Sequence, residues 1–114
     1  MKYAIAVLDI GMTNKKILVY DDEFKELESV QRSFAPLTVK GFPVHDIEGI
    51  VQWFLTTMKT LGAKYPIRVI SVTTHGATFV CVGNDGKPSV PMILYTYEPG
   101  DEFHEEFYRL AGDP

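Results

Sequence analysis

One stripe of apolar residues in the middle of this 114-residue chain constrains its fold more than any other feature. Apolar side chains recur there at steps of three and four, which is the spacing of one face of an α-helix. Asp46 is a suitable residue to cap the start of this helix, and Gly62 is a suitable residue to end it. Trp53 falls off the stripe, so we expect it to be partly exposed or to meet another domain. The stripe consists of Ile47, Ile50, Val51, Phe54, Leu55, Met58 and Leu61.

The segments before this helix predict a β-sheet that it has to cover. Residues 3–8 form a continuous apolar run, which is typical of a short strand buried on both faces. Residues 9–14 predict a tight turn, residues 15–20 a second strand, and a third strand falls within residues 24–34. Because only short turns separate these strands, the pattern predicts an antiparallel β-meander.

The rest of the chain predicts loops, further strands and a second helix. Residues 35–45 contain two prolines and a glycine and predict a loop. Residues 67–73 predict a strand, residues 91–95 a short strand, and a last amphipathic helix is expected between Gly100 and Gly112. Strand, helix and strand in this order predict an α/β fold in which a crossover helix follows the meander and further strands complete a mixed sheet.

Composition excludes several classes of function. The chain has 11 Lys and Arg residues against 15 Asp and Glu residues, a net charge of −4 without a basic cluster, so nucleic acid and anionic membranes are not expected partners. No apolar run approaches the roughly 20 residues that a membrane-spanning helix needs. The single cysteine, Cys81, cannot form an intrachain disulfide, which suits a cytoplasmic protein.

The turn after the first strand carries a candidate anion site. Asp9 ends the apolar run, Gly11 allows close backbone approach, and Thr13 and Lys16 offer a hydroxyl and a positive charge. A carboxylate such as that of Asp9 can hold Mg²⁺, and the metal then bridges phosphate groups. Lys15 and Lys16 should point to opposite faces of the sheet, so one of them is expected to reach the site. The alternative is an ordinary hairpin turn that uses Asp and Gly for its geometry.

A second candidate site follows the strand at residues 67–73. His75 and the flexible Gly76 come directly after this strand, so an imidazole there can exchange hydrogen bonds with a sugar hydroxyl. The alternative is a loop histidine bonded to nearby backbone. Asp9 and His75 both follow strands, and ligands of open α/β sheets bind beyond the carboxyl ends of strands.

The remaining polar residues support several interpretations. Tyr95, Tyr97 and Glu98 either line a sugar site or simply finish a strand. His45 and Asp46 are expected to serve the start of the long helix. The segment His104 to Glu106 lacks the spacing of a zinc helix and is expected to be a solvated helix face.

Taken together, these segments resemble the FGGY family of carbohydrate kinases, in particular its xylulokinase, rhamnulokinase and fuculokinase-like branches. Residues 9–16 resemble the N-terminal phosphate motif of the family, Asp-x-Gly-Thr-Thr/Ser-x-x-Lys. Residues 74–78 resemble a Met-His-Gly-Ala-Thr segment, and residues 84–88 followed by 91–95 resemble the stretch that leads to a Trp-x-Asp-x-Arg sugar motif. The three matches occur in the family's order and cover nearly the whole chain.

The resemblance implies an actin-like, ribonuclease-H-like ATPase fold of two domains and Mg²⁺- and ATP-dependent phosphorylation of a sugar, with a ketose as the first expectation. It places Asp9 near the metal. The residues implied at the ATP phosphates are Gly11, Thr13, Asn14 and Lys16. The residues implied at the sugar are Thr74, His75, Gly76, Tyr95, Tyr97 and Glu98.

The sequence departs from the family pattern at three places. Met12 replaces the usual first hydroxyl residue of the phosphate motif, and Thr74 replaces a methionine. Residues 95–98, Tyr-Thr-Tyr-Glu, stand where Trp-x-Asp-x-Arg is expected, so the aspartate and arginine are missing there. The chemistry of the sugar site is therefore expected to differ, and the motifs do not identify the sugar.

The family's catalytic aspartate and its nucleotide-binding domain lie beyond any segment matched by residues 1–114. The chain is therefore expected to be a truncated N-terminal, sugar-binding part of a kinase and to be inactive alone. It is also expected to self-associate through exposed strand edges, and a homodimeric parent is compatible with this. The alternative is a non-catalytic actin-like module that senses a nucleotide or a sugar.

Overall fold

The computed structural model describes residues Met1–Pro114. In chain order its elements are β1 (Ala4–Ile10), β2 (Asn14–Asp21), β3 (Glu26–Ser33), β4 (Leu37–Val39), β5 (Phe42–Val44), α1 (Ile47–Lys64), β6 (Ile67–Thr74) and α2 (Asp101–Ala111). One sheet has the strand order β3-β2-β1-β6, with β1 to β3 antiparallel and β6 parallel to β1. The predicted meander, crossover helix and mixed α/β sheet are confirmed.

The core lies between α1 and one face of this sheet. Alternate residues of β1 and β2 point towards α1, and Leu61 of α1 packs among them. Trp53 is half-buried and meets Phe34 edge to face, with 5.9 Å between the ring centroids. This confirms the expected partial exposure of Trp53. The buried core cluster consists of Ala4, Leu8, Ile17, Val19 and Leu61.

Helix α1 begins where the sequence predicts and ends two residues later than expected. Asp46 caps it by accepting a hydrogen bond from the Gly49 amide at 2.9 Å. The prediction that Gly62 ends the helix is wrong, because the helix continues to Lys64. Tyr65 is extended, with φ −125° and ψ 145°, since the following Pro66 disfavours the helical conformation. The proline rather than the glycine therefore sets the boundary.

The predicted loop at residues 35–45 is wrong, because it contains the hairpin of β4 and β5. Lys40 and Gly41 both have positive φ, at 51° and 82°, which is the geometry of a tight hairpin turn. The predicted strand at residues 91–95 is also wrong. This segment makes only an isolated bridge from Ile93 to Val44, which is too short a pairing to form a strand.

Most of the chain after α1 remains exposed. Helix α2 lies between Gly100 and Gly112, as predicted. Its apolar residues Phe103, Phe107 and Leu110 have exposed fractions of 55%, 51% and 71%. The radius of gyration is 18.2 Å, whereas a compact domain of this length has about 13 Å. No helix is both long enough and apolar enough to cross a membrane.

Candidate functional site

The ends of β1 and β6 bring the two predicted site segments together. The His75 amide donates a hydrogen bond to the Ile10 carbonyl at 3.1 Å, so the chain following β6 is tied to the end of β1. Asp9 lies directly opposite Lys16 of β2 and Thr73 of β6. Opposed residues of paired strands point to the same face. Asp9, Lys16 and Thr73 therefore share the sheet face that α1 does not cover.

The turn between β1 and β2 is closed by its own backbone. The Gly11 amide donates to the Asn14 carbonyl oxygen at 3.0 Å, and a Cβ at Gly11 would lie only 2.7 Å from that oxygen. Glycine is therefore required here by the turn itself. The Thr13 side chain is exposed, whereas the side-chain oxygen of Asn14 accepts a hydrogen bond from the Ser33 hydroxyl at 2.6 Å.

The two adjacent lysines lie in opposite environments, as predicted from strand alternation. Lys16 is exposed on the Asp9 face. Lys15 is 1% exposed on the α1 face, and its Nζ donates a hydrogen bond to the Met12 carbonyl at 3.0 Å. Burial lowers the pKa of Lys15, because an ammonium ion loses hydration there. Lys16 is thus the lysine that can meet an anion arriving at the uncovered face.

The imidazole of His75 is held by its own loop. Its Nδ1 lies 3.0 Å from the Gly76 carbonyl oxygen and 3.4 Å from the Thr78 hydroxyl. A carbonyl oxygen only accepts hydrogen bonds, so this contact assigns the proton to Nδ1 and leaves Nε2 as an acceptor. The ring meets Tyr95 at 5.9 Å between centroids. The Thr74 hydroxyl donates to the His75 carbonyl at 3.3 Å.

Tyr97 and Glu98, which were also predicted at the sugar site, contact other residues of the chain. Tyr97 packs edge to face on Phe42, with ring centroids 5.3 Å apart. Glu98 accepts hydrogen bonds from the Gly100 amide at 2.9 Å and from His104 Nε2 at 2.6 Å. These two bonds lower the pKa of Glu98, the amide of Gly100 having the larger effect. The structure thus brings Tyr95 to His75 and ties Glu98 to the start of α2.

His45 is a site residue that the sequence interpretation missed. It is 9% exposed, its ring stacks on that of His75 at 5.8 Å, and its Nε2 is buried without a hydrogen-bond partner. Burial lowers the pKa of His45, and the charges of Lys15 and His75 lower it further. Strand parity places Lys15 on the same α1-facing side as buried Ile17, but it gives no signal for His45.

No three His, Cys, Asp or Glu side chains converge to form a metal cage. Asp9 contributes a single carboxylate at the end of β1. Protein-bound Mg²⁺ commonly uses one or two carboxylates together with water and substrate phosphates. Asp9 therefore fits a magnesium ion that arrives with a nucleotide, whereas a dedicated protein site for the metal is not formed.

The fold is that of the N-terminal part of carbohydrate kinases. A carbohydrate kinase from Novosphingobium aromaticivorans is 25% identical and covers 96% of this chain, with a TM-score of 0.82. A xylulose kinase from Lactobacillus acidophilus is 19% identical over 96% of the chain, with a TM-score of 0.75. A glycerol kinase from Plasmodium falciparum is 23% identical over 93% of the chain, with a TM-score of 0.70.

These likenesses confirm the predicted resemblance to carbohydrate kinases and the predicted fold. The chain spans only 23% of the length of each of these three proteins. No family model and no curated protein matches the sequence.

Proposed function

We propose that this chain is the N-terminal part of the sugar-binding domain of a kinase that transfers the γ-phosphoryl group of ATP to a sugar hydroxyl. A ketose is the first substrate class to test. A nucleotide-binding domain and the catalytic base would lie in the remainder of a longer protein. The observation that carries the proposal is the pairing of Asp9 with Lys16 on the uncovered sheet face, next to the point where the His75 backbone is bonded to the end of β1.

Each residue has a role that its environment allows. Lys16 is exposed opposite Asp9, and the Thr13 side chain is exposed in the turn before β2. Both would contact phosphate oxygens, together with free backbone amides of the turn that Gly11 begins. Asp9 would hold the magnesium ion of the nucleotide, usually through water, and the ion would supply charge neutralisation during transfer. Asn14, already bonded to Ser33, would support the turn rather than bind phosphate directly.

The sugar side of the proposed site is centred on His75. Its Nε2 would accept a hydrogen bond from a sugar hydroxyl, because Nδ1 is engaged with the Gly76 carbonyl. Tyr95 is 52% exposed next to this ring and offers an aromatic face for a sugar. Glu98 would contribute only after releasing His104 and the Gly100 amide.

Low burial supports the proposal that the chain is part of a larger unit. Only 11 of 114 residues are buried, and apolar residues of β6 and α2 are exposed. Large exposed apolar surfaces commonly mark interfaces. The missing nucleotide half and base would also make the chain inactive alone.

A second candidate is a non-catalytic module that binds a nucleotide or a sugar without turnover. Two features favour it over an ordinary kinase. Met12 offers no hydroxyl to a phosphate, and Glu98 is engaged elsewhere. Under this alternative the turn and His75 would bind ligand, and no phosphorylated sugar would form.

The test is ATP consumption by the intact gene product across ketoses and polyols, with three variants. Asp9→Asn and Lys16→Met should each lower sugar-dependent turnover by about 100-fold or more, because they remove preorganised charge from the transferring group. Lys40→Met, at the exposed hairpin turn, is the matched control and should retain wild-type turnover. Nucleotide binding without turnover on any sugar would favour the non-catalytic module, and no binding at all would refute both.

A further inference from the structure

A small cavity lies on the α1 side of the β1–β2 turn, away from the face that carries Asp9 and Lys16. Its volume is about 50 Å³, and its walls come from the turn, residues 34–36, the start of α1 and Leu94. Lys15 and His45 are its buried basic side chains. A volume of this size has room for about three or four water-sized atoms. It is therefore too small for a sugar ring and large enough for a single small group.

The Lys15 ammonium lacks a counter-charge. It has three hydrogen-bond donors, and the Met12 carbonyl accepts one of them. The three ion pairs of the chain involve other residues. Asp46 also lines the cavity, but its carboxylate caps α1 through the Gly49 amide and forms no ion pair with Lys15. A buried cation without a partner is strongly unfavourable, so the cavity favours a negatively charged occupant.

Two further groups at this cavity favour the same occupant. The Nε2 atom of His45 is buried and has no hydrogen-bond partner, which is rare for a polar atom in a folded protein. Helix α1 begins at this cavity, and the N-terminus of an 18-residue helix adds a partial positive charge. Lys15, His45 and the first turn of α1 therefore all line one small cavity.

We propose that Lys15 and His45 form a binding site for one carboxylate group. A carboxylate carries the single negative charge that one ammonium balances. A phosphate dianion would leave one negative charge uncompensated beside Asp46. The two oxygens of a carboxylate would accept from Lys15 Nζ and from the protonated tautomer of His45 at Nε2. Phe34 lines the cavity, with its ring centroid 6.0 Å from Lys15 Nζ, and offers an apolar wall to such a planar group.

The carboxylate has two sources, a small free acid or the acidic end of a sugar acid. The cavity adjoins the sugar side of the proposed site, because His45 stacks on His75 and Leu94 precedes Tyr95. This proposal goes beyond the proposed function, which requires only neutral sugar hydroxyls. Binding is measured without ATP, so the failure of either proposal is seen independently of the other.

The experiment is ligand-dependent thermal stabilisation and calorimetric titration of the intact gene product with acetate, gluconate, sorbitol, chloride and sulfate. Acetate or gluconate should bind, whereas sorbitol and sulfate should not stabilise the protein. Chloride should stabilise it less than acetate, because it lacks two oxygens to accept from Lys15 and His45 together. Lys15→Met removes the charge at nearly constant volume and should weaken carboxylate binding at least tenfold. Lys59→Met, on the exposed side of α1, is the matched control and should bind as the wild type does.

A purely structural role of Lys15 gives a different result. Lys15→Met would then lower the melting temperature without ligand and leave carboxylate affinity unchanged. The proposed role predicts that the unliganded variant melts no lower than the wild type, because an unpaired buried charge has been removed. His45→Leu is the second variant. It removes the Nε2 donor but no charge, because the imidazole is neutral, and it should still weaken carboxylate binding.

Three outcomes would overturn the site: equal stabilisation by chloride or sulfate, absence of any carboxylate binding to the wild type, or unchanged binding in both variants. Comparing acetate with gluconate shows whether the carboxylate comes from a small free acid or from a sugar acid. Equal affinity for acetate and gluconate indicates a free acid. Preferential binding of gluconate, lost in Lys15→Met while sorbitol remains inert, indicates a sugar acid.

Discussion

The two amphipathic helices of this chain differ in burial. Most of the apolar stripe of α1 packs on the sheet, whereas Val51 and Leu55 of that stripe stay exposed. All 11 buried residues lie between Ala4 and Leu61. The apolar side of α2 is at least as regular in sequence, yet residues 62–114 contain no buried residue. Leu61 is 2% exposed and Leu110 is 71% exposed. An amphipathic pattern therefore predicts which face of a helix can be buried, whereas burial itself depends on a partner surface.

The difference between the two regions is one of free energy. Full burial of a leucine side chain contributes about 1.5–3 kcal/mol relative to exposure. Residues of α1 gain this contribution from β1 and β2. Phe103, Phe107 and Leu110 of α2 do not gain it within these 114 residues. Under the proposed function, the rest of a longer kinase would provide the surface that α2 lacks.

The largest expected effect tests this comparison with one substitution at two places. Leu61→Ala should lower the free energy of unfolding by about 2–5 kcal/mol, because it leaves a cavity in the core. Leu110→Ala should change it by no more than about 0.5 kcal/mol, because the side chain is already solvated. Urea unfolding of the 114-residue chain measures both values.

The same two variants in the intact gene product test whether α2 gains a partner surface there. If a further domain covers α2, Leu110→Ala should become clearly destabilising there. The destabilisation by Leu61→Ala should stay close to its value in the 114-residue chain. Equal effects of Leu61→Ala and Leu110→Ala in the 114-residue chain would contradict the described difference in packing.

A second pair of variants compares two glycines. Gly11→Ala should lower the free energy of unfolding by about 1–3 kcal/mol, because the new methyl group meets the Asn14 carbonyl oxygen in the tight turn. Gly62→Ala should raise it by about 0.5–1 kcal/mol, because its Cβ would enter open space on a helix that favours alanine. Thermal and urea unfolding measure both changes, and a stabilising Gly11→Ala would refute the described turn geometry.

The weakest effect that we expect is a pH dependence of the free energy of unfolding that comes from His45. The pKa of His45 is lowered in the folded chain, so the unfolded chain binds a proton more readily. Stability from this group is complete above the ordinary histidine pKa of about 6.5 and declines as the pH falls through and below that value. Lys15, His75 and Asp46 face or adjoin the ring. Unfolding measured between pH 5 and 8 checks the slope, and His45→Gln should reduce it.

The elements with strong local patterns were predictable from sequence. The meander, the strand at β6 and both helices follow from apolar spacing and capping residues, and Asp46 caps α1 as expected. The hairpin at residues 37–44 was missed, because Gly41 and Pro43 also suit a loop and its pairing depends on tertiary neighbours. The predicted end of α1 at Gly62 was too early, because a glycine can remain within a helix. Pro66 sets the end instead, since it disfavours the helical conformation of Tyr65.

The candidate residues at the strand ends were predictable from the sequence, whereas the contacts on the α1 side of the sheet were not. Strand alternation and the positions after β1 and β6 were sufficient to place Asp9, Lys16 and His75 at one end of the sheet. The roles of these residues remain predictions. The contact of His45 with His75 could not be derived, because it depends on how the hairpin of β4 and β5 sits beside residues 92–94.

The strand order of the sheet has a consequence for the order of events during synthesis. β1 has two neighbours, of which β2 follows after one short turn and β6 follows only after α1. As the chain leaves the ribosome, the meander can form while the second edge of β1 is still open. That edge stays a template for wrong partners until Ile67–Thr74 has been made. The interval in which residues 22–66 are made is therefore a period in which the nascent chain needs protection from aggregation.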